Sequence, residues 1–396
     1  MRIGFGYRLR STCSGAHLAL LALVATAACV AAQNPTLKTR PKEQVDQEYL
    51  AAHRITLNVQ VADGTGNLVP DLAASEFSLL DNNQPRKIAA VHMIDGEAMN
   101  DATEVLIVLD AVNSTAPELQ QEREAIFKYL ARSHGPLPFP TSFALWFNGQ
   151  MKAASSTTDR NALGRAFVSI TKNMHSNACA PPDATFKQVA ASGSPGEDVP
   201  KPTTEASADV AKCLRVHFRD SISALDSLAQ QQRAVGGRTI LIWVGPGWPL
   251  LSEAEVGRLT AKAQTVFFRD LVGVLDDLRD AQVTLDAIEP PDSAREKEFA
   301  RVDMKALTAG THSEQNAGPA SLALPVLAAQ TGGRALTASS DITADLLSCI
   351  RDAAGYYAVS FLAMPAISPH EFHRVEVKVN RQGVDVRTLT AYYAEP

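Results

Sequence analysis

Residues 104–110, EVLIVLD, are a continuous apolar run that ends in an aspartate. A strand with one wet face alternates apolar and polar residues, whereas a strand covered on both faces does not alternate. The next segment, PELQQEREAIFKYLAR, has a proline at its start and Leu119, Ala125, Ile126, Tyr129 and Leu130 at helical spacing. The pattern then repeats. FALWFNG reads as a strand and DRNALGRAFVSI as a helix with Asp159 as N-cap. LRVHFRDSISALDSLAQQQRAV reads as an amphipathic helix stopped by Gly236-Gly237, and RTILIWVG as a strand. A long helix over about 253–279, the strand QVTLDAIEP, the helix LALPVLAAQTGG, the short strand RALTA and the helix ITADLLSCIRDAAG complete the series. Strands alternating with helices imply an α/β fold, a doubly wound and mostly parallel sheet. Ligands of such sheets sit beyond the carboxyl ends of the strands, where Asp110 stands.

The flanks carry a different period. In residues 54–95, ITLNVQV alternates with period two, DGTGN supplies a turn, and FSLLD and KIAAVHM flank NNQPR as a hairpin. From residue 355 the same signal returns in YYAVSFLAM, HRVEVKVN and, after the turn RQG, VDVRTLTAYYA. Each piece has too few strands to be stable alone. The expectation is therefore one antiparallel β-sandwich built from 54–95 and 355–396, with an α/β domain over 102–354 inserted between them. Two separate small sheets are the alternative. Residues 176–212, rich in Pro, Ser, Ala and Gly, read as an exposed loop insertion.

The amino terminus has Arg2, Arg8 and Arg10 ahead of LALLALVATAACVAA, the form of a secretory signal over 1–32. Processing as a lipoprotein at Cys29 is the alternative, and 33–52 reads as a polar tether. No later stretch reaches the length of a transmembrane helix. The net charge of −6, with no block of lysines or arginines, excludes nucleic acid as a natural partner. Cys179 and Cys213 flank the insertion and are the expected disulfide in an exported chain. Cys349 reads as a buried thiol, and no CxxC or His/Cys cluster suggests zinc.

This order of segments resembles the von Willebrand factor type A (vWA) family. It is more closely similar to a secreted bacterial group, abundant in acidobacteria, called VWFA-related proteins. The resemblance extends to VADGTGNLVPDLAASEFSLLDNNQPRKI and YYAVSFLAMPAISPHEFHRVEVKVNRQGVDVR. It implies a metal-dependent adhesion site, Asp-x-Ser-x-Ser after the first strand, completed by a threonine and an aspartate from later loops. Such a site holds Mg²⁺ through oxygen ligands and leaves a position open to a partner's carboxylate. Here the motif is Asp110-Ala111-Val112-Asn113-Ser114. Asp110 and Ser114 match, but Val112 cannot ligate. Gly245-Pro246-Gly247-Trp248-Pro249 stands where the later aspartate belongs, and the threonine has no clear equivalent. Glu289 is a candidate replacement oxygen.

The resemblance thus implies a degenerate site in which Asp110 and Ser114 hold Mg²⁺ or Ca²⁺ weakly. The competing reading has Asp110 capping the turn that follows it. Asn113 suits either role. Trp146 and Trp243 lie in strands and read as core, while Trp248 either anchors a partner or closes its loop. The function implied is a secreted or envelope adhesion module that binds a protein or cell-surface ligand through the loops at the carboxyl edge of the sheet, with Asn113 and Trp248 as binding residues. The alternatives are a structural envelope component or, less so, a hydrolase. No GxSxG, HExxH, P-loop or paired-carboxylate pattern points to an enzyme. Sequence alone names neither the partner nor the oligomeric state.

Overall fold

The two ends of the chain meet in one module. The computed structural model describes residues 53–96, 103–132, 135–179, 204–251, 259–291 and 302–396. The expected signal and tether lie outside the described residues, as does most of the expected insertion. Strands β1 (Arg54–Asp63), β2 (Phe77–Asp81), β3 (Gln84–Arg86) and β4 (Ile88–Asp95) come from the amino-terminal side. Strands β5 (Glu104–Asp110), β6 (Thr141–Phe147), β7 (Gln150–Thr157), β8 (Thr239–Val244), β9 (Val283–Ile288) and β10 (Ala335–Leu336) form the middle of the chain. Strands β11 (Gly355–Leu362), β12 (Glu371–Val379), β13 (Val384–Arg387) and β14 (Ala391–Ala394) close it. One four-stranded sheet has the order β13-β1-β11-β4 and the other β14-β12-β2-β3, so each mixes strands from both ends. The long pairing runs antiparallel from Arg54↔Leu362 to Val59↔Tyr357. Leu57, Val59, Val61, Tyr357, Val359 and Phe361 of one sheet pack on Phe77, Leu79, Val375, Val377 and Tyr392 of the other. The flanking segments therefore build one antiparallel sandwich, and the alternative of two separate sheets is excluded.

Between them stands a six-stranded sheet of order β10-β9-β8-β5-β6-β7. In order of appearance this is 3-2-1-4-5-6, a doubly wound arrangement with β5 central. All neighbours pair parallel except β7, which pairs antiparallel with β6 at one edge. Helices α1 (Ala116–Ala131), α2 (Arg160–Thr171), α3 (Thr204–Val235), α4 (Ala261–Asp280), α5 (Met304–Thr308), α6 (Leu324–Gln330) and α7 (Ile342–Arg351) accompany it. Val105, Ile107 and Leu109 of β5 face α1, α2 and α7, while Leu106 and Val108 face α3 and α4. Both faces are covered, which is why β5 and β8 show no alternation; β9 buries Thr284 and Asp286 as well.

Three readings differ from the expectation. The hairpin expected between FSLLD and KIAAVHM closes instead between β2 and β3 (Gln84–Arg86), while β4 crosses to the other sheet and pairs with β11. α3 begins at Thr204, well inside the stretch read as an insertion, because the run TEASADVAK is composed largely of residues a helix accepts. β7, QMKAASST, is largely exposed and too polar to stand out as a strand. It is set by Asn148 and Gly149, both at positive φ (52° and 68°), the turn that closes a tight hairpin.

The sandwich is tied to the α/β domain at the amino ends of the parallel strands. Arg238, just before β8, is fully buried, and burial lowers its pKa to about 10, so it stays charged. Its guanidinium lies 4.5 Å over the Tyr356 ring and donates to the Asp352 carbonyl at 3.0 Å and to Gln60 Oε1 on β1 at 3.4 Å. The Asp352 carboxylate accepts from Arg334 at 3.0 Å and from Arg387 of the sandwich at 2.7 Å. With the amino-end rim occupied in this way, Asp110 stands at the opposite, carboxyl rim.

Candidate functional site

Asp110 ends β5 and is fully buried. Its Oδ1 accepts from the backbone N–H of Val112 at 3.1 Å and of Asn113 at 2.9 Å. The Asn113 side-chain amide sits astride the carboxylate, 3.1 Å from Oδ1 and 2.9 Å from Oδ2. The Trp243 indole N–H, one strand over, donates to Oδ2 at 3.0 Å. Ser221 on α3 accepts from both the Asn113 amide and the Trp146 indole, each at 3.1 Å. Burial raises the Asp110 pKa, and the hydrogen bonds from Asn113, Trp243 and Val112 oppose that rise.

Ser114 follows on the same turn and is also fully buried. Its hydroxyl lies 3.0 and 2.9 Å from the two carboxylate oxygens of Glu122. Glu122 was not foreseen as a site residue. It comes from α1, is fully buried, and has a pKa driven well above the usual range by burial, with the charge of Asp110 adding to the effect. Two carboxyls in one dry site do not both ionise easily, and burial together with the neighbouring charge favours the protonated form of Glu122.

The loop after β8 covers this turn. Gly245 has φ +141°, and a Cβ there would lie 2.7 Å from Asp110 Cβ, so only glycine allows the approach. Trp248 is 1% exposed. Its ring meets Trp243 edge-on at 5.8 Å and its indole N–H donates to the Leu322 carbonyl at 2.6 Å. The reading of Trp248 as a partner anchor is therefore corrected: its polar and apolar surfaces are both spent inside the fold, and it closes the loop. Trp146 and Trp243 are core residues as expected, with the addition that their N–H groups serve this polar cluster. Glu289 is buried after β9, its backbone N–H bonded to the Leu336 carbonyl and its carbonyl to Ser339 N–H. Asn113 is half-buried and spends its amide on Asp110 and Ser221.

A divalent hard cation needs oxygen lone pairs converging on one point, with room for waters. Here both Asp110 oxygens point at N–H donors, the Ser114 hydroxyl is turned to Glu122, and Val112 contributes only a methyl surface. In this arrangement the donor set does not fit Mg²⁺ or Ca²⁺. The N–H groups of Asn113 and Trp243 stand where positive charge would be needed. The alternative reading, Asp110 as a cap on its own turn, describes the bonds to Val112 and Asn113.

From Ser176 to Cys179 the chain runs over the same turn. Ser176 Oγ donates to the Ser114 carbonyl at 2.6 Å and Asn177 N–H to the Ala111 carbonyl at 2.9 Å. Cys179 then bonds to Cys213 on α3, the expected disulfide, which pins this strap to the helix. Cys349 is a buried free thiol, also as expected.

A wrapped parallel sheet with a strand-end aspartate at the carboxyl rim of its first strand is the architecture the sequence resemblance implied. The strand order is that of a doubly wound α/β domain. No family model matches the chain, and no curated protein matches it. Among solved structures, the chain is similar to an aerotolerance-related membrane protein of Bacteroides fragilis at 10% identity and a TM-score of 0.30, over 64% of this chain and 98% of that one. It is similar to the manganese-loaded TRAP protein of Plasmodium vivax at 9% identity and a TM-score of 0.31, over 78% and 100%. It is also similar to the SpRpn10 VWA domain at 12% identity and a TM-score of 0.21, over 51% and 95%. The reading of the fold rests on the strand order above rather than on these likenesses.

A groove of about 910 Å³ lies on the outer side of α3 and α4. Each of these helices leads into a parallel strand, so both start at the carboxyl rim. The floor is apolar, made by Phe218, Ile222, Val266, Phe267 and Val274. Near the rim the walls carry Arg215, Arg219 and Lys262; at the far end they carry Asp226 and Asp277. Gln230 bridges those two carboxyls at 3.2 and 3.1 Å. Burial, followed by the hydrogen bond and charge of Asp277, pushes the Asp226 pKa up to about 6.

Proposed function

We propose that the protein is a binding module rather than an enzyme, exported or held at the cell envelope, which engages a protein ligand at the carboxyl rim of its vWA-like sheet without a metal ion. The observation that carries this reading is the groove between α3 and α4. It is an apolar trough with cationic walls at its rim end and carboxyls at its far end, the polarity that fits an amphipathic segment whose acidic end lies at the rim. The closed Asp110 cluster supports the metal-free form, because its carboxylate is already neutralised by N–H dipoles. The disulfide supports an oxidising compartment. Among the described residues no helix is long and apolar enough to cross a membrane.

Gly273 on α4 lines the groove, and a Cβ there meets nothing within 4 Å. Gly273→Trp therefore starts from an unobstructed Cβ and sets a bulky side chain at the trough, and loss of a mid-helix glycine favours the helix. Peptides selected on the wild-type chain from a displayed random library are expected to share apolar residues at i, i+3 and i+4 with an acidic end. They should bind Gly273→Trp at least tenfold more weakly, with or without chelator. Selected peptides that ignore Gly273→Trp would remove the groove as the binding site. Peptides that need Mg²⁺ would return the function to Asp110.

A further inference from the structure

Cys213 and His217 are one turn apart on α3 and so project from the same face. Cys179 reaches them from the strap that crosses the Asp110 turn. His217 Nδ1 lies 3.4 Å from Cys179 Sγ, and Nε2 lies 3.8 Å from Cys213 Sγ. One ligand atom from each of the three residues falls within 4.8 Å of the others, and all three residues are half-buried. We propose that, once the disulfide is reduced, Cys179, Cys213 and His217 form a site for a thiophilic divalent cation of the zinc class.

The geometry is close to what such an ion requires. Tetrahedral Zn²⁺ with Zn–S near 2.3 Å and Zn–N near 2.0–2.1 Å sets S···N edges of about 3.6 Å and an S···S edge of about 3.8 Å. The two sulfur–nitrogen distances involve opposite nitrogens of the ring, and one ion takes only one of them, so binding requires that the two sulfurs move apart and that the imidazole turn to bring a single nitrogen to both, over separations that start within 4.8 Å. The sulfurs are bonded to each other in the oxidised protein, which makes metal and disulfide mutually exclusive. Reduction consumes two equivalents of an external thiol: RSH attacks one sulfur, a second RSH releases RSSR, and two cysteine thiols result. Binding then replaces both thiol protons, Zn²⁺ + 2 Cys–SH giving Zn(S–Cys)₂ and two protons, which pass to solvent. His217 supplies its lone pair as neutral imidazole, the form favoured by burial, which lowers its pKa. Three protein ligands leave a fourth position for water or an external donor. Either cross-link, covalent or metal, holds the strap over the Asp110 turn, so the site keeps that turn pinned when the covalent bond is lost.

The test uses the full chain, reduced, desalted under argon and titrated with Co²⁺ as a spectroscopic stand-in. One equivalent should produce a thiolate-to-cobalt charge-transfer band and intense tetrahedral d–d bands, both erased by one equivalent of Zn²⁺. The oxidised chain should show neither. Cys213→Ser should weaken the charge-transfer band by about half or more, and His217→Ala should lower the affinity at least tenfold while circular dichroism stays unchanged. Reduced wild type without the charge-transfer band would overturn the proposal. So would His217→Ala binding as tightly as wild type, or a reduced chain that unfolds and does not refold on adding Zn²⁺.

Discussion

Replacing Asp110 by asparagine separates a hydrogen-bonded lock from a metal seat. In the wild type, the buried carboxylate accepts from Val112 N–H, Asn113 N–H, the Asn113 amide and the Trp243 indole. An asparagine can keep its oxygen on the two backbone donors. Its NH₂ then faces the Trp243 N–H and the Asn113 NH₂, donor against donor. Hydrogen bonds to a charged group contribute about 1.5–3 kcal/mol each, and an orphaned buried donor costs about 1–3 kcal/mol. Removing the charge also removes its own burial penalty, which offsets part of this. The net expectation is a loss of about 3 kcal/mol. With an unfolding entropy of roughly 2.1 cal/mol/K per residue, about 0.7 kcal/mol/K for a body of this size, the midpoint should fall by about 4 °C. Thermal melts by circular dichroism at pH 7, in EDTA and in millimolar Mg²⁺, read this directly. The fall should be equal in both, and the wild-type midpoint should not respond to Mg²⁺. A variant that melts within about 1 °C of wild type would refute the lock, and a wild type stabilised by Mg²⁺ would refute its metal-free character.

The remaining predictions draw on the same buried polar groups. Burial pushes Asp276 and Asp286 to about 6 and drives Glu122 well above the usual carboxyl range. A carboxyl whose folded pKa lies above its unfolded one binds its proton more tightly when folded, so stability is greatest below the unfolded value, near 4, and declines as pH rises through about 6. The midpoint should therefore be higher at pH 5 than at pH 7.5, and the opposite order would show that these carboxyls are not protonated in the fold. Asp352→Ala strips the carboxylate from Arg334 and Arg387 beside buried Arg238. Breaking a buried ion pair from one side costs about 3–5 kcal/mol, and urea unfolding that shows under about 1 kcal/mol would mean the domain junction does not depend on it.

The fold was legible where both faces or neither face of an element were ambiguous in the right way. β5 and β8 bury every central residue, and their runs carry no polar alternation. The sandwich was legible by deficit, since neither flank could make a core alone. Its register was not legible, because period-two patterns fix which face is inward but not which residue stands opposite which. β7 was hidden by its polarity, although Asn148-Gly149 in FNGQ carried the hairpin signal. The early start of α3 was masked by the neighbouring prolines and serines of 176–203.

The site divides along the same physical line. Asp110 stood out because a charge ending an apolar strand needs a reason. Glu122 was also readable, since it falls between Leu119 and Ala125 on the stripe that α1 buries, where an unpaired carboxylate would be costly. His217, four residues after Cys213, likewise carried a signal that only the third ligand, Cys179, turns into a cluster. Trp243 was different: its partnership with Asp110 depends on β8 lying beside β5 with Val108 opposite Trp243, and nothing local to either strand encodes that pairing. The distinction matters for what this rim can do. A strand-end aspartate alone is compatible with a cation, and the same aspartate between an asparagine amide and an indole N–H is not. Two residues outside the Asp-x-Ser-x-Ser spacing, Trp243 and Glu122, thus decide between an open metal-bearing rim and a closed one.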